Sequence, residues 1–471
     1  MMQIPKLAGY TAVFGLGRSG LSCVEALLAA GNQVVAWDDE VAPRAEAEAM
    51  GAELRNLLED FGSGAQQAVR LIVSPGIPLT HPAPHPIVKI ARANGCAILG
   101  DMDLFAMALE ASGLRDKAVI VGITGTNGKS TTTALIGHML ARAGVVSHIG
   151  GNIGTPILQL PLPEKQCSVY VLELSSYQLD LNHVLACDIG VLLNITPDHL
   201  DRHGDMAGYV SAKQKLFADG KCAMGRIIGM DSAESAALAD RLSKSGKLTR
   251  IAGHHTDADI YYADGCLWQG DTKLLDMADC PALPGAHNGQ NAAAALAIGR
   301  RLGLDMRVIT DSFTDFAGMQ HRLQAVAQHH SVTFVNDSKA TNAEAARHAL
   351  AAYDNIYWIA GGVAKAGGLS GLAPHYPQVR AAYLIGEAAA PFGEQLQGAM
   401  EAHQADTLQR AVNMAADRAL ADTRAQEVPH ATVLLSPACA SFDQFSDFEA
   451  RGAAFCDAVN DWLRGQEEGA A

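Results

Sequence analysis

The nine cysteines are scattered along the 471 residues without a single C-x-x-C pair. Neither a disulfide framework nor a zinc knuckle is therefore expected, and reduced thiols are the plain reading. No apolar run reaches the roughly 18–20 residues that span a bilayer. The opening stretch MMQIPKLAGYTAVFGLG also lacks a charged segment leading into a long apolar one. The chain thus reads as a soluble cytoplasmic protein with no membrane partner. Positive charge is in deficit: 35 Lys and Arg face 50 Asp and Glu, a formal charge of −15. That balance argues against a nucleic-acid partner, which needs a basic face, but not against anionic small ligands held by local loops. Internal repeats and low-complexity tracts are also missing, and the Ala-rich 405–425 region reads as an amphipathic helix.

What is present is an ordinary globular composition, 49% hydrophobic and 18% charged. The length exceeds the roughly 250–300 residues at which single cores stop growing, so about three domains are expected. Short β-branched runs alternate with helical stretches from end to end, the pattern of parallel sheets with crossover helices. TAVFGLG, QVVAW and VRLIVSPG read as strands of a first unit, and AVIVGIT, SVYVLELS and DIGVLLNIT as strands of a second. SVTFVNDS, NIYWIAGG, AAYLIG and ATVLLSP read as strands of a third. Between the second and third sets, DIYYADGCLWQGDTKL alternates like a small hairpin and PGAHNGQNAAAALAIGRRLGL reads as a capped helix. The expectation is an α/β protein of three domains, 1–114, 115–318 and 319–471, each on a mostly parallel sheet.

VIVGITGTNGKSTTTALIGHM, residues 119–139, places a glycine-rich turn between a strand and a Ser/Thr-rich helix start. It misses the general G-x-x-x-x-G-K-[ST] phosphate loop at Ile123, yet keeps Gly125, Gly128, Lys129 and Ser130. Those are the parts the chemistry requires. Glycines let phosphate approach the backbone, and the helix N-terminus points N–H groups and partial positive charge at it. Lys129 would reach the β- and γ-phosphates, and the Ser130 or Thr131 hydroxyl could touch Mg²⁺. A chance GKS on a loop is the weaker reading.

GLGRSG, residues 15–20, matches G-x-G-x-x-G between strand and helix, and Asp38 follows the next strand. Alone this points to a dinucleotide such as NAD; beside a second phosphate-type loop it equally suits another diphosphate, such as that of a UDP-sugar. Glu173 ends one strand, and NITPDHLDRHG sets His199 and Asp201 beyond another, where ligands of parallel sheets gather. Carboxylate and imidazole suit a divalent ion bound to phosphates, although each alone would pass as a strand-end or structural residue. Lys213 in SAKQKLF reads from spacing as a surface lysine. NDSKATN and AGGVAKAGGL each offer a lysine at the mouth of the third sheet, and Cys439 in SPACASFDQFSDFEARG reads as a bystander thiol.

Taken together, GITGTNGKST, LELSSYQL, NITPDHLDRHG, HNGQNAAAA, MQHRLQ and NDSKATN resemble, in order and across all three domains, the Mur ligase family of ATP-dependent amide-bond-forming enzymes. The GLGRSG domain and the SPACASFDQF segment resemble the branch that adds D-glutamate to UDP-N-acetylmuramoyl-L-alanine in peptidoglycan synthesis. The resemblance implies Rossmann-like first and third domains, for the UDP-sugar and the incoming amino acid, around a P-loop domain for ATP. TGTNGKS is the family's ordinary loop, which gives ATP contacts to Gly125, Thr126, Asn127, Gly128, Lys129, Ser130 and Thr131. Asn288, Asn291, Arg322 and Asp337, with His321, match further nucleotide positions. Gly15, Leu16, Gly17, Arg18 and Ser19 match the UDP-sugar loop, with Asp38 or Asp39 near the uracil and Ser74, Pro75, Gly76, Asn152 and His199 beside the same ligand. Ser130, Glu173, His199 and Lys213, the last as a carbamate, match holders of two Mg²⁺ ions, and Lys129, His199 and Lys213 match the catalytic set. Lys339, Thr341, Lys365, Ser441 and Phe448 match positions around D-glutamate. A monomer is expected. The alternatives are a sister ligase with another amino acid, an NAD-binding oxidoreductase built on GLGRSG, and a non-catalytic nucleotide switch.

Overall fold

The computed structural model describes residues 4–6, 9–61, 68–164, 166–218, 221–244, 246–254, 256–365 and 367–470, the last four as backbone only. Part of the opening stretch (1–3 and 7–8) and Ala366 of AGGVAKAGGL lie outside the described residues. The chain divides into two compact units, 1–280 with 286–315, and 281–285 with 316–471. The first unit carries two of the expected sheets and the second carries the third.

The first sheet comprises β1 (Tyr10–Phe14), β2 (Gln33–Trp37), β3 (Glu53–Leu54), β4 (Arg70–Val73) and β5 (Ala97–Leu99), in the order 3-2-1-4-5 and all parallel. The order reverses between β1 and β4, and ligands of such sheets bind at that switch point, outside the carboxyl ends of the strands. The Gly15–Gly20 loop and the Ser74–Gly76 loop leave β1 and β4 there.

The second sheet holds β6 (Ala118–Thr124), β7 (Ser147–Gly151), β8 (Ser168–Glu173), β9 (Ile189–Leu192), β10 (Gly225–Gly229), β11 (Leu248–Ala252), β12 (Ile260–Ala263), β13 (Cys266–Gln269) and β14 (Thr272–Asp276). Its order is 14-13-12-11-10-9-6-8-7. AVIVGIT is buried at every position but Val119, as a central strand covered on both faces must be. The expected hairpin at DIYYADGCLWQGDTKL is a three-stranded antiparallel meander, β12–β13–β14, because TKLLD forms a further strand. The helix Ala286–Arg301, whose run of four alanines favours helix and close approach, packs on the helix Lys129–Arg142.

In the second unit, β15 (Gln324–His329), β16 (Val332–Asn336), β17 (Ile356–Gly361), β19 (Val379–Ile385), β20 (Glu401–Asp406) and β21 (Ala431–Leu435) form a sheet ordered 15-16-21-17-19-20, parallel except for β15. Two short segments, β18 (Val363–Ala364) and β22 (Cys439–Ala440), pair antiparallel beyond it. Alternation along β17 sends Tyr357 and Ile359 into one core and Ile356, Trp358 and Ala360 into the other, so both faces are covered.

Candidate functional site

The glycine loop after β6 has the backbone geometry that a phosphate site requires. Gly128 caps the Lys129–Arg142 helix at φ +84°, a left-handed conformation closed to most side chains, and an added Cβ would lie 2.3 Å from Asn291 Oδ1. The loop is tied to the exit of β9. Thr126 N–H donates to Asn194 O at 3.0 Å and Asn127 N–H to Asn194 Oδ1 at 2.9 Å. Thr126 Oγ1 meets Thr196 O at 3.1 Å and the Tyr209 hydroxyl at 3.2 Å. On the helix side, Thr132 Oγ1 donates to Asn291 Oδ1 at 3.1 Å and Asn291 Nδ2 to Asn288 Oδ1 at 3.0 Å, placing both buried asparagines against the start of the phosphate-loop helix. Lys129 Nζ donates to Gly125 O and Thr126 O at 3.0 and 2.8 Å. Ser130 is buried and Thr131 half-buried in the first turn.

Lys213 is not the surface lysine its spacing suggests: it is 1% exposed. The helix Met206–Gln214 delivers it beneath the loop, where Nζ donates to Gly125 O at 2.9 Å and lies 4.6 Å from the Tyr209 ring centroid. Burial, reinforced by the charge of Lys129, holds its amine well below the ordinary lysine range. Glu173, at the end of β8, is also 1% exposed. Its Oε1 accepts from Asn152 Nδ2 at 2.8 Å, and Asn152 N–H donates to Glu173 O at 2.9 Å; Oε2 is buried with no hydrogen-bond partner. A buried carboxylate oxygen left without a donor is what a cation site supplies before its ion. His199 stands exposed at φ +53°, its Nδ1 3.0 Å from the Tyr177 hydroxyl, and its ring faces Tyr209 at 6.5 Å. Tyr209 therefore adjoins the loop, Lys213 and His199 at once. Among the described residues no group of three or more His, Cys, Asp or Glu side chains has a metal-holding arrangement, so any ion must draw on other donors as well.

At the first sheet's switch point, Ser74 Oγ donates to Gly15 O at 2.6 Å, closing the two loops on each other. Gly20 has a Cβ position 1.9 Å from Gly15 O, so only glycine fits there. Arg18 donates to Gly154 O, beyond Asn152, and Ser19 Oγ to Asp101 Oδ2 at 2.6 Å. Gly17, Arg18 and Gly76 are exposed, Leu16 is buried and Pro75 half-buried. Both Asp38 oxygens accept backbone N–H groups, from Leu16 and Glu40, whereas Asp39 is exposed.

In the second unit the expected residues gather beyond the carboxyl ends of β16, β17 and β21. Asp337 is buried; its Oδ2 accepts from Ser436 Oγ at 2.8 Å and its Oδ1 from Leu323 N–H at 3.3 Å, and burial pushes its carboxyl up to about 7. Lys339 Nζ lies 3.8 Å from the Phe448 ring centroid, and Lys339 N–H donates to His321 O at 3.0 Å. Arg322 and Thr341 are half-buried, Lys365 exposed and Ser441 buried. The β18–β22 ladder pairs Ala364 with Cys439, fastening the Lys365 loop to the SPACAS segment. Cys439 is buried, and burial pushes its thiol up to about 12, away from nucleophilic use.

Asn194, Thr126 through its hydroxyl, Tyr209 and Arg451 organise these sites without having been singled out for that role. Arg451 is 1% exposed and donates to Ser338 O, Ser338 Oγ and Cys439 O at 2.8–3.0 Å. Most of their partners lie far away in sequence; only the quoted motifs containing them hinted at a role.

Fold and site define a class: a nucleotide-binding α/β protein with a glycine phosphate loop on one sheet and a dinucleotide-type loop on another. Comparison with known proteins sharpens this. Residues 10–100 match the family described as Mur ligase MurD-like, N-terminal domain, 123–299 the Mur ligase middle domain, and 321–439 the Mur ligase, glutamate ligase domain. The chain is 48% identical over 456 residues to UDP-N-acetylmuramoylalanine--D-glutamate ligase of Caulobacter vibrioides, covering 95% of each chain. It is 47% identical to the protein of that name from Rhizobium johnstonii, covering 94% of this chain and 93% of that one. Among solved structures, the UDP-N-acetylmuramate-alanine ligase of Thermotoga maritima shares the fold at a TM-score of 0.56 and 15% identity, over 96% of this chain and 99% of that one. This chain belongs to the Mur ligase family.

Proposed function

We propose that the protein adds D-glutamate to UDP-N-acetylmuramoyl-L-alanine at the expense of ATP, a cytoplasmic step of peptidoglycan precursor synthesis. The observation that carries this is the 48% identity, over 95% of both chains, to a relative named for that reaction. The chain acts as a monomer, without nucleic-acid or membrane partners. The substrate carboxylate attacks the γ-phosphate of ATP, giving ADP and an acyl phosphate. The D-glutamate amine then attacks the activated carbonyl, a proton leaves the nitrogen, and phosphate departs from the tetrahedral intermediate.

Protein catalysis of such a transfer is mostly positioning and electrostatics. Gly125, Thr126, Asn127 and Gly128 present backbone to the ATP phosphates, Lys129 pairs with their charge, and Ser130 and Thr131 follow at the helix N-terminus. Asn288, Asn291, Arg322 and Asp337 hold the rest of the nucleotide. Gly15 to Ser19, Asp39, Ser74 to Gly76, Asn152 and His199 hold the UDP-sugar, and Asp38 shapes its loop. Lys339, Thr341, Lys365, Ser441 and Phe448 receive D-glutamate.

The orphaned Glu173 Oε2 fits a divalent cation, and Ser130, Glu173, His199 and a carbamate on Lys213 would hold two magnesium ions. Bound magnesium neutralises charge on the transferring phosphoryl group. Burial supports the carbamate: an amine kept neutral can attack carbon dioxide, forming an N–C bond and releasing a proton, and the product is an anion where a lone ammonium would sit beside Lys129. His199 serves as a ligand rather than a base. The test is phosphate release with UDP-N-acetylmuramoyl-L-alanine and ATP. Release with D-glutamate, and not with L-glutamate or L-alanine, is expected; preference for L-alanine would reassign the chain to a sister activity.

A further inference from the structure

Gln290 belongs to HNGQNAAAA, yet only its neighbours Asn288 and Asn291 have been given a role. It is 4% exposed on the helix Ala286–Arg301, and two glycines make room for it. A Cβ at Gly229 would lie 2.7 Å from Gln290 Nε2, and one at Gly253 would lie 3.4 Å from Gln290 Cβ. One end of its amide meets Asp231, just past β10, where Nε2 donates to Asp231 Oδ2. That carboxylate also accepts Gly253 N–H on Oδ2 at 2.7 Å and His254 N–H on Oδ1 at 3.0 Å, both just past β11. The other end meets Asn194, just past β9, whose Nδ2 donates to Gln290 Oε1 at 3.2 Å. Asn194 in turn grips Asn127 of the phosphate loop twice, accepting its N–H on Oδ1 at 2.9 Å and donating from Nδ2 to its carbonyl at 3.2 Å. A line of hydrogen bonds thus crosses the carboxyl ends of β11, β10, β9 and β6, which are neighbours in that order. Ser232, beside Asp231, reinforces the same edge by accepting Ile195 N–H on Oγ at 3.0 Å.

The direction of this line is set at one end. An amide can turn over and exchange donor for acceptor, but an ionised carboxylate only accepts. Asp231 therefore draws Nε2 of Gln290 towards itself and leaves Oε1 for Asn194. With Nδ2 held there, Asn194 offers Oδ1 to the Asn127 N–H. Were Asn194 reversed, its NH₂ would face that N–H and its oxygen the Asn127 carbonyl, two contacts of like with like. Asn127 immediately precedes Gly128, so the carboxylate of Asp231 dictates the peptide orientation at the turn into the helix.

We propose that Asp231 and Gln290 are positioning residues for ATP, holding the phosphate loop through Asn194 in the arrangement that turns its backbone to the phosphates. They act through Asn194 and not by contact with the nucleotide. This rests on the ATP reading of the Gly125–Ser130 loop. A loop fixed in advance has less freedom to lose on binding and keeps its dipoles aligned on the phosphates.

The experiment measures ADP formation by the full chain, with KM for ATP and for UDP-N-acetylmuramoyl-L-alanine determined separately. Gln290→Met keeps the side chain's length but breaks the line. KM for ATP should rise about tenfold, with KM for the UDP-sugar within about twofold. Gln290→Glu sets two carboxylates face to face and should raise KM for ATP by about tenfold or more. Asp231→Asn alone can turn its oxygen to Gln290, so its effect should stay within about threefold. Added to Gln290→Glu, the same Asp231→Asn can turn its NH₂ to the new carboxylate, whose other oxygen again receives Asn194 Nδ2. The double variant should bring KM for ATP back to within about threefold of wild type, a repair of one substitution by a second that loss of packing does not produce. Melting curves establish folding, and where Gln290→Glu alone does not fold, a folded and active double variant shows the same pairing. A folded Gln290→Met with wild-type KM for ATP overturns the proposal, as does a Gln290→Glu defect that Asp231→Asn leaves unrepaired. A wild-type protein that forms no ADP refutes the underlying functional reading instead, so the two failures are distinguishable.

Discussion

Gly128→Ala isolates how much of the phosphate loop depends on one missing methyl group. Three costs add at this position. The left-handed backbone, φ +84°, costs an alanine about 1–2 kcal/mol. The new Cβ would also fall 2.3 Å from Asn291 Oδ1 and 3.1 Å from Leu193 Cδ1. Overpacking of this kind costs about 1–3 kcal/mol. Moving Asn291 aside further loosens its bonds to Thr132 and Asn288, about 1 kcal/mol each. The sum is about 4–7 kcal/mol, or a Tm lowered by roughly 6–11 °C in the calorimetric transition of the first unit. Gly144→Ala is the control: φ is +68°, with nothing within 4 Å of the added Cβ, so only the backbone cost applies. In an Asn291→Ala background the Gly128→Ala cost should fall towards that of Gly144→Ala, a coupling that a double-mutant cycle reads directly. Equal melting shifts for Gly128→Ala and Gly144→Ala, or strict additivity with Asn291→Ala, would refute the packing account of this loop.

Lys213→Ala should be nearly inactive and partly rescued by added small carboxylates, since the proposed carbamate would be a carboxylate-like ligand; full activity without rescue would sink that role. Asp337→Asn should flatten the pH dependence of stability. The folded carboxyl titrates near 7 against 3.8 unperturbed, so between about pH 4 and 7 the folded state holds more protons and wild-type stability falls as pH rises, levelling above that window. Melting curves of both proteins across that range check the sign, and a wild-type Tm that rises relative to the variant contradicts it. Arg451→Met should lower the second unit's stability by about 3–5 kcal/mol, because it orphans Ser338 O and Cys439 O together, and Arg451→Lys should recover part of the loss on thermal melting.

Which features could be read from the sequence follows from how local their causes are. AVIVGIT and QVVAW coincide with β6 and β2 because buried parallel strands are continuous apolar runs. β15, QAVAQH, and β20, EAHQAD, escaped notice because they are edge strands whose side chains are largely solvated. β7, SHIGG, and β10, GRIIG, are short and glycine-bearing, which weakens any strand pattern. The phosphate loop was legible because strand, glycines and helix start are contiguous. Lys213 was not, since nothing beside it in sequence shows that Tyr209 and the Gly125 carbonyl enclose it. Asp38 and Asp39 are adjacent in sequence, and only the fold separates their tasks, one turned to backbone N–H groups and the other outward.

The Thr126 hydroxyl has a consequence for recombination. It joins the phosphate loop to the Thr196 carbonyl, 70 residues on, and to Tyr209, 83 residues on. This loop transplanted into another nucleotide-binding protein would arrive without its counterparts, and residues 194–196 and 209 would have to travel with it. The natural cassette here is a mosaic of three separated segments, and a chimaera cut at the visible edges of GITGTNGKS would sever it.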